Sequence, residues 1–188
     1  MGIKKLANTK PIKTVLGIDA STNSVAFCLY DANGPKKWGE INFVGDNVFE
    51  RLSDGQRKVQ AALRKLNPDL VIFESAVFVQ NKKTVVLLAY SFGAIVAALM
   101  SKGTRVEEIP PITWQHAIGN KPLSKEEKLK IQKAHPDKSK SWYDNKNRET
   151  RKQRTMDWVK TKYGIDVPND NVSDAIAIAS VGYDKFAS

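Results

Sequence analysis

Val15-Leu16-Gly17-Ile18-Asp19 is an unbroken apolar run that closes on a carboxylate. A run this short, apolar at every position and followed by polar residues, reads as a strand buried on both faces. The polar turn Ser21-Thr22-Asn23-Ser24 follows it, then an alternating run over 25–30. Asp31-Ala32-Asn33-Gly34-Pro35 is a strong turn signal, and 39–44 is a plausible third strand. This succession predicts an antiparallel meander. Leu70-Val71-Ile72-Phe73-Glu74 repeats the opening pattern, a short apolar run ending in an acid, and predicts a strand at the centre of a sheet.

Helical spacing separates these strands. Over 47–66, Val48, Leu52, Val59, Leu63 and Leu66 fall on one helical face, and Asn67-Pro68 stops the run. A long apolar helix is expected over 81–100, where Gly93, Ala94, Ala97 and Ala98 would let another helix approach closely. A strand over 105–109 follows, then the break Pro110-Pro111 and a short helix over 112–118. Residues 120–147 are polar, Lys-rich and poor in periodicity, and are expected to be flexible or ordered by a ligand. Helices resume over 148–163, capped by Gly164, and over 171–186. The order predicts one α/β domain over 1–188, a mixed five-stranded sheet flanked by helices, with a flexible N-terminal arm over 1–13.

Composition narrows the class. The formal net charge of +10 and pI near 9.6 favour a polyanionic partner. Residues 121–162 carry 14 basic and 6 acidic side chains, so about +8 of the charge lies in one stretch. A membrane surface is the other polyanion, but no basic amphipathic helix with exposed Trp and Leu stands out. The apolar run over 85–100 is interrupted by Tyr90, Ser91 and Gly93, and is shorter than the about 20 residues that span a bilayer. The basic N-terminus has no apolar secretory segment, so a cytoplasmic protein is expected. The single cysteine, Cys28, excludes an intramolecular disulfide and reads as a small strand residue; His116 and His135 read as ordinary polar residues.

The acids carry the chemistry. Asp19 and Glu74 close strands, and Asp174 opens the apolar helix Asp174-Ala175-Ile176-Ala177-Ile178-Ala179. Each has a local explanation: a turn residue, a strand end facing solvent, and an acid in the first turn of a helix capped by Asn171. Carboxylates at the edges of core elements nevertheless carry a desolvation cost unless they are paired or bind a cation. Three in such settings suggest one cluster holding a hard divalent metal. On a strongly basic chain, that points to metal-dependent cutting of a nucleic acid.

Gly17-Ile18-Asp19, Ile72-Phe73-Glu74 and the Ser173-Asp174-Ala175-Ile176 segment together resemble, in order and spacing, the motifs of RuvC-type Holliday junction resolvases. These are members of the ribonuclease H-like nuclease superfamily. Asn81, the glycine-containing helix after it, and Ile118-Gly119 followed by Lys125 also resemble the family pattern. Two positions depart from it. Asn171 stands where the family usually has an acid or a histidine, and Trp114 where it often has a lysine. The basic stretch over 126–155 resembles an insertion of phage or viral members.

The resemblance implies a ribonuclease H-like fold and an endonuclease that resolves four-way junctions or other branched DNA. It implies two Mg²⁺ ions per site, with Mn²⁺ as substitute. Asp19 would bridge them, Glu74 would hold one, and Asp174 with Asn171 or Asp170 the other. Lys125 would stand near the scissile phosphate. Phe78, in the loop after Glu74, could stack on an unpaired base, and Trp142 could do the same. Asn81, Lys121, Lys125, Lys138, Lys140, Arg151 and Lys152 complete the expected DNA contacts. A homodimer formed through the 81–100 helix is expected, with no membrane partner and no small-molecule cofactor. Two other classes compete. One is a ribonuclease H-like DNA-binding protein without catalysis, which would fit Asn171 as a lost ligand. The other is an actin-like ATPase fragment, for which the chain offers neither Gly-rich phosphate loops nor a second domain.

Overall fold

In the computed structural model, residues 11–75, 82–99 and 104–187 are described. The five strands are β1 (Val15–Ala20), β2 (Ser24–Asp31), β3 (Gly34–Asn42), β4 (Leu70–Glu74) and β5 (Arg105–Ile109). They form one sheet in the order β3-β2-β1-β4-β5. The β1/β2 and β2/β3 pairs are antiparallel, and β1/β4 and β4/β5 are parallel, so the sheet is mixed. The helices are α1 (Val48–Leu63), α2 (Lys82–Leu99), α3 (Pro111–Ala117), α4 (Lys125–Ala134), α5 (Lys140–Tyr163) and α6 (Asp170–Phe186). No helix among the described residues is long and apolar enough to cross a membrane.

The sheet is covered on both faces. Leu16, Ile18, Val71 and Phe73 pack with Val59 and Leu63 of α1 and Ile95, Ala98 and Leu99 of α2. On the other face, Val15, Leu70 and Ile72 pack with Trp114 of α3 and with Ala177 and Ile178 of α6. Ala26, Cys28 and Tyr30 of β2 join Ala175, Ile176 and Ala179 of α6 and Val159 of α5 on that second face. β1 and β4 feed both cores, which is why their sequences are apolar without alternation. Each fully buried Val, Leu or Ile contributes roughly 1.5–3 kcal/mol by leaving water.

Gly17 sets the depth at which α6 lies. A Cβ there would stand 2.5 Å from both the Ala175 carbonyl oxygen and the Ala179 amide nitrogen. Only a residue without a side chain lets the α6 backbone come this close to β1. The small residues Ala175 and Ala179 complete the approach.

The structure departs from the sequence expectations in four places. β3 begins at Gly34, not at residue 39. Gly34 takes a positive φ of 97° at the hairpin, and Pro35 is tolerated because β3 is an edge strand with a bulge opposite Leu29 and Tyr30. The stretch over 120–147 is mostly helical. Ser124 and Glu127 form a reciprocal capping box that starts α4, and Ser139 caps α5, which therefore begins eight residues before the expected 148. The cap of α6 is Asn169, not Asn171; its side chain accepts from the Val172 amide. Residues 11–13 are not a free arm: Ile12 is buried, and the Lys13 amide donates to Asp69.

Candidate active site

Strand register assembles the acids. Ile18 lies opposite Phe73 across the parallel β1/β4 pair, so Asp19 and Glu74 end adjacent strands one step later. Asp19 in turn pairs with Ala26, and Ala26 with Glu40 of β3. Directly paired residues point to the same face of a sheet. Glu40, Ala26, Asp19 and Glu74 therefore form one row across the sheet, on the face that α6 covers. Asp174, in the second turn of α6, is delivered to this row by the close approach at Gly17.

The electrostatics register this crowding. Asp174 is pushed up to about 8, first by burial and then by the charges of Asp19, Glu74 and Asp170, against a lowering hydrogen bond from Thr155. Asp19 is pushed up to about 7 by burial, then by Glu74 and Asp170 and to a lesser degree Glu40, with Lys152 opposing. Burial also raises Glu74, while the Trp114 indole, donating from Nε1 to Glu74 Oε1 at 3.2 Å, holds it down. Glu40 goes the other way. Burial works to raise it, but hydrogen bonds from Asn171, Ser24 and Asn169 together outweigh that and hold it below the ordinary glutamate value.

Cations face these acids from α5. A cavity of about 280 Å³ is lined by Glu74 and Asp174 on one side and by Arg148, Arg151 and Lys152 on the other. Gln115, Asn120, Pro111 and Thr155 complete it. Arg151 is held by donating to the Gln115 side chain, and Asn120 Nδ2 donates to the Arg151 carbonyl at 2.8 Å and to Thr155 Oγ1 at 3.0 Å. Lys152 Nζ pairs with Asp170 at 2.5 Å. Carboxylates and guanidinium groups around one cleft suit a cation and an anionic ester side by side.

The carboxylates fit a hard cation by chemistry. All donors are oxygen, and Asp174 Oδ1 is buried with no hydrogen-bond partner among the described residues. Among those residues, no three Asp, Glu, His or Cys side chains converge on one coordination point as they stand. The acids are joined here by mutual charge rather than by a closed ligand shell.

The sequence profile of the family described as crossover junction endodeoxyribonuclease RuvC matches residues 15–133. The chain belongs to this family. It is 32% identical over 109 residues to the crossover junction endodeoxyribonuclease RuvC of Syntrophomonas wolfei, a match covering 55% of this chain and 63% of that protein. The match thus spans less than two thirds of that relative's length. In fold it is similar to Thermus thermophilus RuvC in complex with a Holliday junction substrate, with a TM-score of 0.65, 15% identity and coverage of 92% of this chain and 95% of the other. It is also similar to the yeast mitochondrial Holliday junction resolvase Ydc2, with a TM-score of 0.50, 15% identity and coverage of 90% and 77%. These likenesses bear out the ribonuclease H-like α/β fold expected from the resemblance.

Against the RuvC resemblance, the two departures acquire a local role. Trp114 is buried and its indole reaches Glu74. Asn171 donates from Nδ2 to Glu40 Oε1 at 2.8 Å, while Asn169 donates to Glu40 Oε2 at 2.6 Å. Asp170, the alternative ligand to Asn171, is paired with Lys152. Lys125 sits exposed in the first turn of α4 and does not line the cavity holding Glu74 and Asp174. Lys121, Lys138 and Lys140 are exposed. Trp142 is half-buried against His135 at 4.9 Å between ring centroids, with Lys138 Nζ 5.9 Å above its ring. Phe78 and Asn81 lie outside the described residues. Sequence reasoning missed Glu40, Arg148, Gln115, Asn120 and Thr155. Only strand register, the packing of α5 on α6 and the hydrogen bonds of Gln115 and Asn120 to α5 bring them to the site.

Proposed function

We propose that this chain is a structure-selective endodeoxyribonuclease that cuts four-way or otherwise branched DNA by metal-dependent phosphodiester hydrolysis. The observation that carries the reading is the burial and mutual repulsion of Asp19, Glu74 and Asp174, two of which line a cavity with Arg148, Arg151 and Lys152. Asp19, Glu74 and Asp174 would hold two Mg²⁺ ions, or Mn²⁺ in their place, with Asn171 supplying a neutral oxygen. Bound there, such ions would supply activation of water and neutralisation of charge at the scissile phosphate. Arg148 and Arg151 then orient the phosphate through guanidinium hydrogen bonds, which match its oxygens in a fork. The Trp114 indole fixes the Glu74 carboxylate. The Asn120 side chain holds the Arg151 carbonyl and Thr155, locking the α5 wall of the cleft.

Branched DNA is larger than this cleft. The exposed cations of α4, of its link to α5 and of the start of α5, including Lys125, Lys138 and Lys140 with Lys121 before them, would track its phosphates. Cutting two opposed strands calls for two sites, and α2 supports a homodimer. Val86, Ala89, Tyr90, Gly93 and Ala97 are exposed along one stripe of α2, and Phe49 of α1 stands 6.1 Å from Tyr90 between ring centroids. The functional test is to compare cutting with binding. Asp19→Asn, Glu74→Gln and Asp174→Asn should each abolish cutting of a synthetic four-way junction while mobility-shift binding survives. Measurable cutting by all three at saturating Mg²⁺ overturns the reading.

A further inference from the structure

We infer that Glu40 is a positioning residue that aims the Asn171 carbonyl oxygen at the acidic site, so that an amide can stand where the family usually places an acid or histidine. The inference rests on the metal-site reading above. A carboxylate offers only acceptors, whereas an asparagine side chain offers one donating and one accepting end. Glu40 takes the donating ends of two asparagines at once, Asn171 Nδ2 on Oε1 at 2.8 Å and Asn169 Nδ2 on Oε2 at 2.6 Å. Both asparagines are thereby fixed in orientation. The other end of Asn169, Oδ1, caps α6 by accepting from the Val172 amide at 3.0 Å. With Nδ2 on Glu40, the other end of Asn171, Oδ1, points away from that carboxylate, and residue 171 stands one helical turn before Asp174 on α6.

The arrangement accounts for the asparagine itself. An aspartate at 171 would set its carboxylate against Glu40, and two carboxylates cannot share the donor position that Nδ2 now fills. With Glu40 on β3, a donating side chain at 171 is the one that pairs. Glu40 reaches α6 because β3 is in register with β2, and Glu40 lies opposite Ala26, next to Asp19 in the row. It thus links the edge strand to the helix that carries Asp174, at the residue where this chain leaves the family pattern.

The test is a Mn²⁺ titration by calorimetry on the intact, EDTA-stripped protein, with unfolding temperatures measured in EDTA. Glu40→Ala removes both acceptors and should free the Asn171 amide to turn. It should weaken Mn²⁺ binding by about tenfold or more, the usual loss when a group orienting a ligand is removed. Asn171→Asp alone should lower the unfolding temperature in EDTA. The double variant Glu40→Gln/Asn171→Asp restores a donor–acceptor pair with the roles exchanged. It should recover the unfolding temperature and bind Mn²⁺ at least as tightly as the parent. Asp174→Asn serves as the control for the metal site. If Asp174→Asn loses Mn²⁺ while Glu40→Ala keeps parent affinity, or if Asn171→Asp alone tightens binding at unchanged unfolding temperature, the inference on Glu40 is overturned. If Asp174→Asn binds Mn²⁺ as the parent does, the metal-site reading falls and this inference with it.

Discussion

Replacing Asp174 by asparagine should make the metal-free protein more stable, and increasingly so as pH rises. Asp174 is held up at about 8 from an ordinary 3.8, by burial first and by Asp19, Glu74 and Asp170 after it. Between those two values the native state keeps a proton that the unfolded chain has released. Stability therefore falls as pH climbs from about 4 to about 8 and levels off above it, where both states are ionised. Each pKa unit corresponds to about 1.4 kcal/mol, so an isolated group shifted this far would cost the native state about 5–6 kcal/mol at alkaline pH. Part of the shift is repulsion shared with Asp19 and Glu74, and the asparagine must still bury an amide. A gain of about 2 kcal/mol at pH 8.5 is expected for Asp174→Asn, or about 4–8 °C in unfolding temperature for a chain of this size. The assay is thermal unfolding of parent and variant in EDTA from pH 4.5 to 8.5. The gap should close toward pH 4, and saturating Mg²⁺ should erase the parent's alkaline loss but leave the variant unmoved. A variant less stable than the parent at pH 8.5, or a gap independent of pH, would refute the claim that these carboxylates crowd one another.

Two further outcomes follow from the geometry. Gly17→Ala puts a Cβ 2.5 Å from two backbone atoms of α6, so the helix must move off the sheet; a loss of about 1–3 kcal/mol is expected in chemical denaturation, together with weakened cutting because Asp174 moves with α6. Charge reversal of the exposed Lys128, Lys138 and Lys140 should flatten the log–log salt dependence of DNA binding by about 0.9 for each phosphate that these lysines neutralise in the parent; an unchanged slope would show that α4 and the start of α5 present a solvated face.

The sheet is legible in the sequence because its signals are local. The apolar runs ending at Asp19 and Glu74 read as central strands, and they are. The order of acids along the chain is enough to suggest one cluster, because parallel strands β1 and β4 end on the same edge. Helix α4 escapes a periodicity reading for a physical reason: none of its residues is buried, so it shows no apolar stripe. Its signal is the pair Ser124 and Glu127, a capping box that needs no periodicity. Glu40 falls inside the expected third strand, but its role depends on the register that sets it opposite Ala26 and on two asparagines at the start of α6, neither of which is a local signal. Arg148 is invisible as a site residue when the helix is taken to begin there, whereas it lies eight residues inside α5. Lys125 shows the converse: a spacing that matches the family pattern, on a side chain that does not line the cavity holding Glu74 and Asp174.

Asp19, Glu74 and Asp174 are proposed to build a metal-dependent cutting site for branched DNA. Its most direct test is to incubate the parent protein with a synthetic four-way junction and with linear duplex of the same sequence, in Mg²⁺ and in EDTA, and to map products on a denaturing gel. The account predicts nicks at opposed strands of the junction in Mg²⁺, none in EDTA, and an intact duplex. Equal cutting of junction and duplex, or cutting that persists in EDTA, would contradict it.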